Sequence, residues 1–155
     1  MVDGEYALVS GDNPRRKDLT ATQLDISPLG NAVDRLREGL ERHRREPNDE
    51  QLRDGLIQRF EFTYELSHRM LRRYLQRISA SPEAFDQMTF QDLVRSGNEQ
   101  SLLRADWPEW RRYRDMRART SHTYAASVAE QVVSCIPDFL AEVTYLHDQL
   151  RQRLG

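Results

Sequence analysis

Asp49-Glu50-Gln51-Leu52-Arg53-Asp54-Gly55-Leu56-Ile57-Gln58-Arg59-Phe60-Glu61-Phe62-Thr63-Tyr64-Glu65-Leu66-Ser67, continuing through Met70, Leu71 and Tyr74 to Ile78, is the stretch that decides the fold. Leu52, Leu56, Phe60, Tyr64, Ser67, Leu71, Tyr74 and Ile78 recur at steps of three and four. That spacing puts them on one stripe of an α-helix and on both faces of a strand. Asp49 carries a short carboxylate that can accept the first free N–H groups of such a helix. Gly55 weakens the helix without breaking it. The spacing therefore predicts one long helix from Asp49 to about Ile78.

The same reading extends outward. Ser27 is the expected N-cap of a preceding helix, with Pro28 at its first position and Leu29, Val33, Leu36 and Leu40 as its stripe. Glu46-Pro47-Asn48-Asp49 separates the two helices. Downstream, Ser81-Pro82 and Thr89 are start signals. A shorter helix over 89–96 should stop at Gly97-Asn98. Asp106 and Pro108 open a fourth helix, and a last one spans about 126–153 with Val128, Val132, Ile136, Phe139, Val143, Leu146 and Leu150 inward. Pro137 lies inside that last pattern and deprives the Val133 carbonyl of its usual donor. No segment alternates with a two-residue period, and no Asn-Gly or Asp-Gly pair sits between apolar runs. The expectation is an all-α fold, an up-and-down bundle of four long helices plus a shorter one. Residues 1–25 lack periodicity and read as a mobile N-terminal tail; 26–155 read as the bundle domain.

Composition narrows the classes of function. The chain has 155 residues, 31% of them charged, and a net charge of −2. No global positive field draws in nucleic acid, so any RNA site has to be a local patch. Cys135 is the single cysteine, which rules out an internal disulfide or a cysteine metal cluster and suits a reducing, cytoplasmic setting. No apolar run is long enough for a membrane span, and the N-terminus lacks the apolar core of a secretion signal. GxxxxGK[ST], GxSxG, HExxH and Cys/His ligand spacings are absent, so the pattern asks for no metal and no cofactor.

The chemistry concentrates in Arg117-Ala118-Arg119-Thr120-Ser121-His122-Thr123-Tyr124. A guanidinium can grip a phosphate with a fork of donors, and an imidazole moves protons near neutral pH. Between Glu109 and His122 five arginines (Arg111, Arg112, Arg114, Arg117, Arg119) face two acids, a local excess of three positive charges. The long helix adds Arg69, Arg72, Arg73 and Arg77, which would make a basic cleft if the two helices were neighbours. Arg73, Arg114, Arg119 and Ser121 are the candidate contacts to RNA or nucleotide. In a straight helix, Arg117 and His122 point about 140° apart. They act on one phosphate only if the helix loosens or ends between them, or if two chains each supply a pair. Thr120 and Ser121 form helix moderately, and Ser121 or Thr123 could start a new cap, so a break here fits. Attack of an RNA 2′-hydroxyl on its neighbouring phosphate is the reaction such a pair supports, with His122 handling the proton and Arg117 the charge.

Leu56–Leu66 followed by Met70-Leu71, then Trp110 seven residues before Arg117, then Thr120-Ser121-His122-Thr123-Tyr124, resembles the HEPN family over about residues 25–153. More narrowly it resembles the nucleotidyltransferase substrate-binding branch, whose relatives include HepT toxins. The resemblance implies a helical bundle that forms a homodimer and pairs with an MNT-type nucleotidyltransferase antitoxin. It implies a metal-independent ribonuclease whose catalytic residues map onto Arg117 and His122. It further implies silencing by AMPylation of the tyrosine two residues past the histidine, here Tyr124. The alternative within the same family is a non-catalytic subunit that presents a substrate or nucleotide to the nucleotidyltransferase. One position departs from the pattern: Ala118 stands where the family usually has a polar residue, often Asn.

Overall fold

The computed structural model describes residues 23–155, and the expected tail over 1–25 falls almost entirely outside them. Among the described residues five α-helices follow one another: α1 (Ser27–Arg45), α2 (Glu50–Ile78), α3 (Phe90–Glu99), α4 (Trp107–Arg119) and α5 (Ala126–Leu154). Two single 3-10 turns, Pro82–Phe85 and Thr120–His122, complete the order, and no strand occurs among the described residues. The architecture is the all-α bundle that the stripes anticipate. α1, α2 and α5 pack against each other, α4 lies on α5 and α2, and α3 fills the gap between α2 and α4.

The ends of the helices follow local chemistry, with three corrections. Asp49 caps α2 as expected, accepting from the N–H groups of Gln51 at 2.9 Å and Leu52 at 3.1 Å. Ser27, by contrast, is the first helical residue and no cap; the Asp25 carboxylate accepts its N–H at 2.9 Å. Gly97 does not end α3 but sits buried inside it, because a Cβ there would meet Leu103 Cδ1 at 2.9 Å and Leu71 Cδ1 at 3.2 Å. The left-handed position past the helix falls to Ser101 (φ 58°) instead. The Leu102 N–H then reaches back to the Gly97 carbonyl at 2.9 Å, closing a Schellman turn. At the start of α4, Asp106 contributes its backbone and not its side chain, and the entry is fixed from another helix.

That fixing is done by Glu142 of α5. Only 5% exposed, its carboxylate accepts from Trp110 Nε1 at 2.9 Å, Ala105 N at 3.0 Å and Arg104 N at 3.3 Å. A buried charge survives where several donors converge on it. An aromatic cluster surrounds the same junction. Phe60 meets Phe139 edge-on at 5.0 Å between centroids, Tyr113 meets Phe139 at 5.3 Å, and Trp110 meets Tyr113 at 5.4 Å. Such pairs contribute about 0.5–1.5 kcal/mol each beyond burial. Together they register α4 against α2 and α5. Leu29, Val33, Leu36 and Leu40 are all buried as the spacing predicts, whereas Ile78, at the free end of α2, is 46% exposed. α5 continues as α-helix across Pro137.

Candidate functional site

Two turns beyond buried Trp110, α4 runs out at Arg119 and tightens into the 3-10 turn Thr120–His122. Thr120 sits at the change. Its Oγ1 donates to the Arg117 carbonyl at 2.6 Å, a carbonyl the next residue's N–H would take if the α-helix went on. Thr123 Oγ1 likewise donates to the Thr120 carbonyl at 3.3 Å. Neither Ser121 nor Thr123 starts a new cap, since α5 begins after Ala125, whose backbone is extended (φ −85°, ψ 120°). The break that the sequence asks for between Arg117 and the histidine is therefore present within one chain.

Arg117 is the most tightly held side chain of this corner. Nε donates to Glu65 Oε1 at 3.1 Å, and Nη2 bonds to the same oxygen. Nη1 donates to Thr120 Oγ1 at 3.1 Å and lies 3.4 Å from Glu61 Oε2. Glu61 and Glu65 stand one helical turn apart on α2, so they meet the guanidinium from the same side. The expected basic cleft between α2 and α4 is therefore corrected at this point. The part of α2 that reaches Arg117 is acidic, and Arg72 turns inward to bond the Phe85 carbonyl.

The other candidate residues are placed as follows. His122 is exposed, with its ring 6.3 Å from that of Tyr124 and nearly perpendicular to it. Tyr124 is 88% exposed, so its hydroxyl stands in solvent beside the imidazole. Ser121 is exposed in the same turn. Arg119 bonds Gln131 Oε1 at the start of α5. Arg114 lies over the Trp107 ring at 5.0 Å and 3.9 Å from Asp115. Arg73 is exposed on α2, two turns past Glu65. Arg117, Ser121, His122 and Tyr124 thus flank one helix break, with the rings of His122 and Tyr124 beside each other, while Arg73 lies on α2 and Arg114 on α4 before the break. A cleft of about 420 Å³ lies elsewhere, over Arg104, Asp106, Glu109, Tyr113, Asp138 and Glu142. No three His, Cys, Asp or Glu side chains converge as metal ligands among the described residues.

The strongly perturbed groups lie inside the bundle. Burial, with Arg72 beside it, lowers His68 to about 4, and its ring packs on Phe90 at 4.4 Å. It is a packing histidine. Burial raises the Tyr64 phenol above its ordinary value, while Arg114 and Arg117 pull it down. Cys135 is pushed up to about 12 by burial. Burial also raises Glu142, against its three N–H donors.

Residues 24–152 match the family described as nucleotidyltransferase substrate binding protein like. The chain belongs to this family. Within it, a Haemophilus influenzae protein described as "Probable ribonuclease HepT" is 43% identical over 99 residues, spanning 64% of this chain and 67% of that protein. A solved H. influenzae structure, described as revealing the fold of a substrate-binding domain of a nucleotidyltransferase, superposes with a TM-score of 0.77 at 34% identity. The match covers 82% of this chain and 99% of that one. The chain thus lies on the HepT-like branch of this family. Its helical bundle carries no helix long and apolar enough to cross a membrane among the described residues. Sequence reading missed the roles of Glu61 and Glu65. Their spacing of four on one helix was visible, but the partner that gives them meaning lies 52 residues away from Glu65.

Proposed function

We propose that this chain is the toxin of a toxin–antitoxin pair, a HEPN-type endoribonuclease that cuts RNA without a metal. A cognate MNT-type nucleotidyltransferase silences it by AMPylation of Tyr124. The observation that carries the reading is the α4–α5 corner, which sets Arg117, His122 and Tyr124 around one helix break in a chain similar to a probable ribonuclease. In the reaction, the RNA 2′-oxygen forms a bond to phosphorus as the bond from phosphorus to the 5′-oxygen breaks. His122 takes or relays the 2′-hydroxyl proton, a proton is delivered to the leaving 5′-oxygen, and a 2′,3′-cyclic phosphate remains. Arg117 stabilises the charge that gathers on the phosphoryl oxygens. Arg73, Arg114, Arg119 and Ser121 hold flanking phosphates, and a homodimer brings two such corners to one groove. Exposed Tyr124 suits the regulatory step. An adduct bearing a phosphate there stands next to His122 and fills the place of the substrate phosphate.

The purified chain, freed of partner and adduct, is expected to cut RNA in EDTA and leave 2′,3′-cyclic ends. His122→Ala should abolish the cut, and equal cutting by that variant refutes the assignment. Co-expression with the neighbouring nucleotidyltransferase should add AMP units, mapped by peptide mass to Tyr124 and lost in Tyr124→Phe.

A second reading, a non-catalytic subunit that presents substrate or nucleotide to the nucleotidyltransferase, is favoured by Ala118 and by the two carboxylates on Arg117. It predicts a stable complex with the nucleotidyltransferase and no RNA product under any condition.

A further inference from the structure

We propose that Glu65, backed by Glu61, is the positioning residue for Arg117 in the RNA-cleaving corner; this rests on the ribonuclease reading above. A guanidinium has five N–H donors in a rigid fork. Glu65 takes the side edge of that fork through Nε and Nη2, and Thr120 takes one hydrogen of Nη1. What no hydrogen bond occupies is the terminal edge, one hydrogen on Nη1, whose nitrogen lies 3.4 Å from Glu61 Oε2, and one on Nη2. A phosphate oxygen that arrives at that edge meets a group with no freedom to swing, because helix α2 and the 3-10 turn hold it from two sides. Charge makes this arrangement informative. Arg117 with Glu61 and Glu65 sums to −1, so the cluster is a poor trap for phosphate in the ground state. Its value lies where negative charge grows on the phosphoryl oxygens and direction matters most. The carboxylates are also only partly screened from water (Glu61 33% and Glu65 52% exposed), which keeps their attraction modest and the hydrogen-bond geometry decisive. The neighbouring arginines are held differently: Arg119 is bonded to Gln131 and Arg114 lies on Trp107.

The role separates from general base catalysis and from mere stability by its kinetics. In Glu65→Ala, kcat for a short RNA should fall about 10- to 100-fold, the usual cost of misplacing a group at the reacting centre. KM should not rise, since the corner becomes less negative. Glu65→Gln keeps an acceptor oxygen on Arg117 and should recover most of kcat, with the pH profile unchanged. In an Arg117→Lys background, which retains the charge but lacks the fork, Glu65→Ala should cost nothing further. Circular dichroism and thermal unfolding check that the variants stay folded; Glu65 is a surface residue and the change should leave both unaltered. Three results overturn the proposal: full activity in Glu65→Ala, a Gln variant as inactive as Ala, or losses that add in the double variant. A wild-type chain that leaves RNA intact overturns the ribonuclease reading itself and this role with it.

Discussion

Glu142→Ala is the perturbation whose size the structure fixes best. The wild-type carboxylate satisfies the Trp110 indole N–H at 2.9 Å and the backbone N–H groups of Ala105 at 3.0 Å and Arg104 at 3.3 Å. Trp110 is 1% exposed, and a buried donor left without its partner costs about 1–3 kcal/mol. Ala105 is half-buried and adds a similar or smaller amount; the long bond to Arg104, an exposed residue, adds little. Against these stands the relief of no longer burying a carboxylate. The net expectation is a loss of about 3 kcal/mol, in line with removing one partner of a buried charged network. For a domain of this size that lowers Tm by about 6–12 °C. Glu142→Gln retains one acceptor oxygen and should lose roughly half as much. Urea unfolding followed by far-ultraviolet circular dichroism measures both. A Glu142→Ala chain as stable as wild type refutes the claim that this carboxylate fixes the entry of α4. The pH dependence gives an independent sign. Because burial raises the folded value above the ordinary 4.5, the folded chain holds a proton that the unfolded chain has released. Stability from this group is then lost as pH rises through the window above 4.5, and the difference between wild type and Glu142→Gln should shrink accordingly.

Gly97→Ala forces a Cβ to within 2.9 Å of Leu103 and 3.2 Å of Leu71 and should destabilise by about 1–3 kcal/mol in the same urea assay; a neutral effect would show that the α2–α3 contact is loose. Cys135, pushed up to about 12 by burial, should resist thiol reagents at neutral pH in the native chain and react at once in urea; rapid native labelling contradicts its burial. His68, lowered from 6.5 to about 4, titrates in the opposite sense to Glu142. The unfolded chain takes up the proton first, so stability falls as pH drops from 6.5 towards 4, and His68→Gln should flatten that limb of the stability curve. Thr120→Val keeps the shape but removes both hydroxyl bonds, costing about 1 kcal/mol of stability and a larger share of RNA cleavage; an active variant would mean the turn holds its form without them.

What could be read from the sequence was whatever repeats along one helix. The four leucine and valine positions of α1 are buried without exception because an amphipathic stripe has one way to face a core. The stripes blur at helix ends, where Leu52, Ile78 and Val128 have little left to pack against and are half-buried or exposed. Gly97 misleads because glycine marks two opposite situations, a left-handed stop and a close approach of helices, and only the neighbours Leu71 and Leu103 decide between them. Glu142 sits among apolar positions of α5 and looks like a solvated charge until Trp110 and the α3–α4 loop are placed on it. The candidate site divides the same way. Arg117, His122 and Tyr124 are legible because they are close in sequence; Glu61 and Glu65 are legible only once α2 and α4 are side by side.

The division has a physical consequence for how such a site is built. The Trp110, Tyr113, Phe139 and Glu142 junction, sealed from water, sets the direction of α4 without touching a reacting group. From there Arg117 is two turns away, and what remains to be decided is the last few residues. Thr120 bears on them twice, its hydroxyl donating to the Arg117 carbonyl and accepting from Arg117 Nη1, while Glu65 and Glu61 hold the rest of the guanidinium. The helix tightens into the 3-10 turn there, and His122 stands exposed beside Tyr124. A 3-10 turn advances about 120° per residue where an α-helix advances about 100°, so the tightening alone does not aim Arg117 and His122 at one point. In the proposed ribonuclease their convergence on one phosphate falls to the pairing of two chains, while substitutions at exposed Ser121 or Tyr124 leave the bundle beneath them intact.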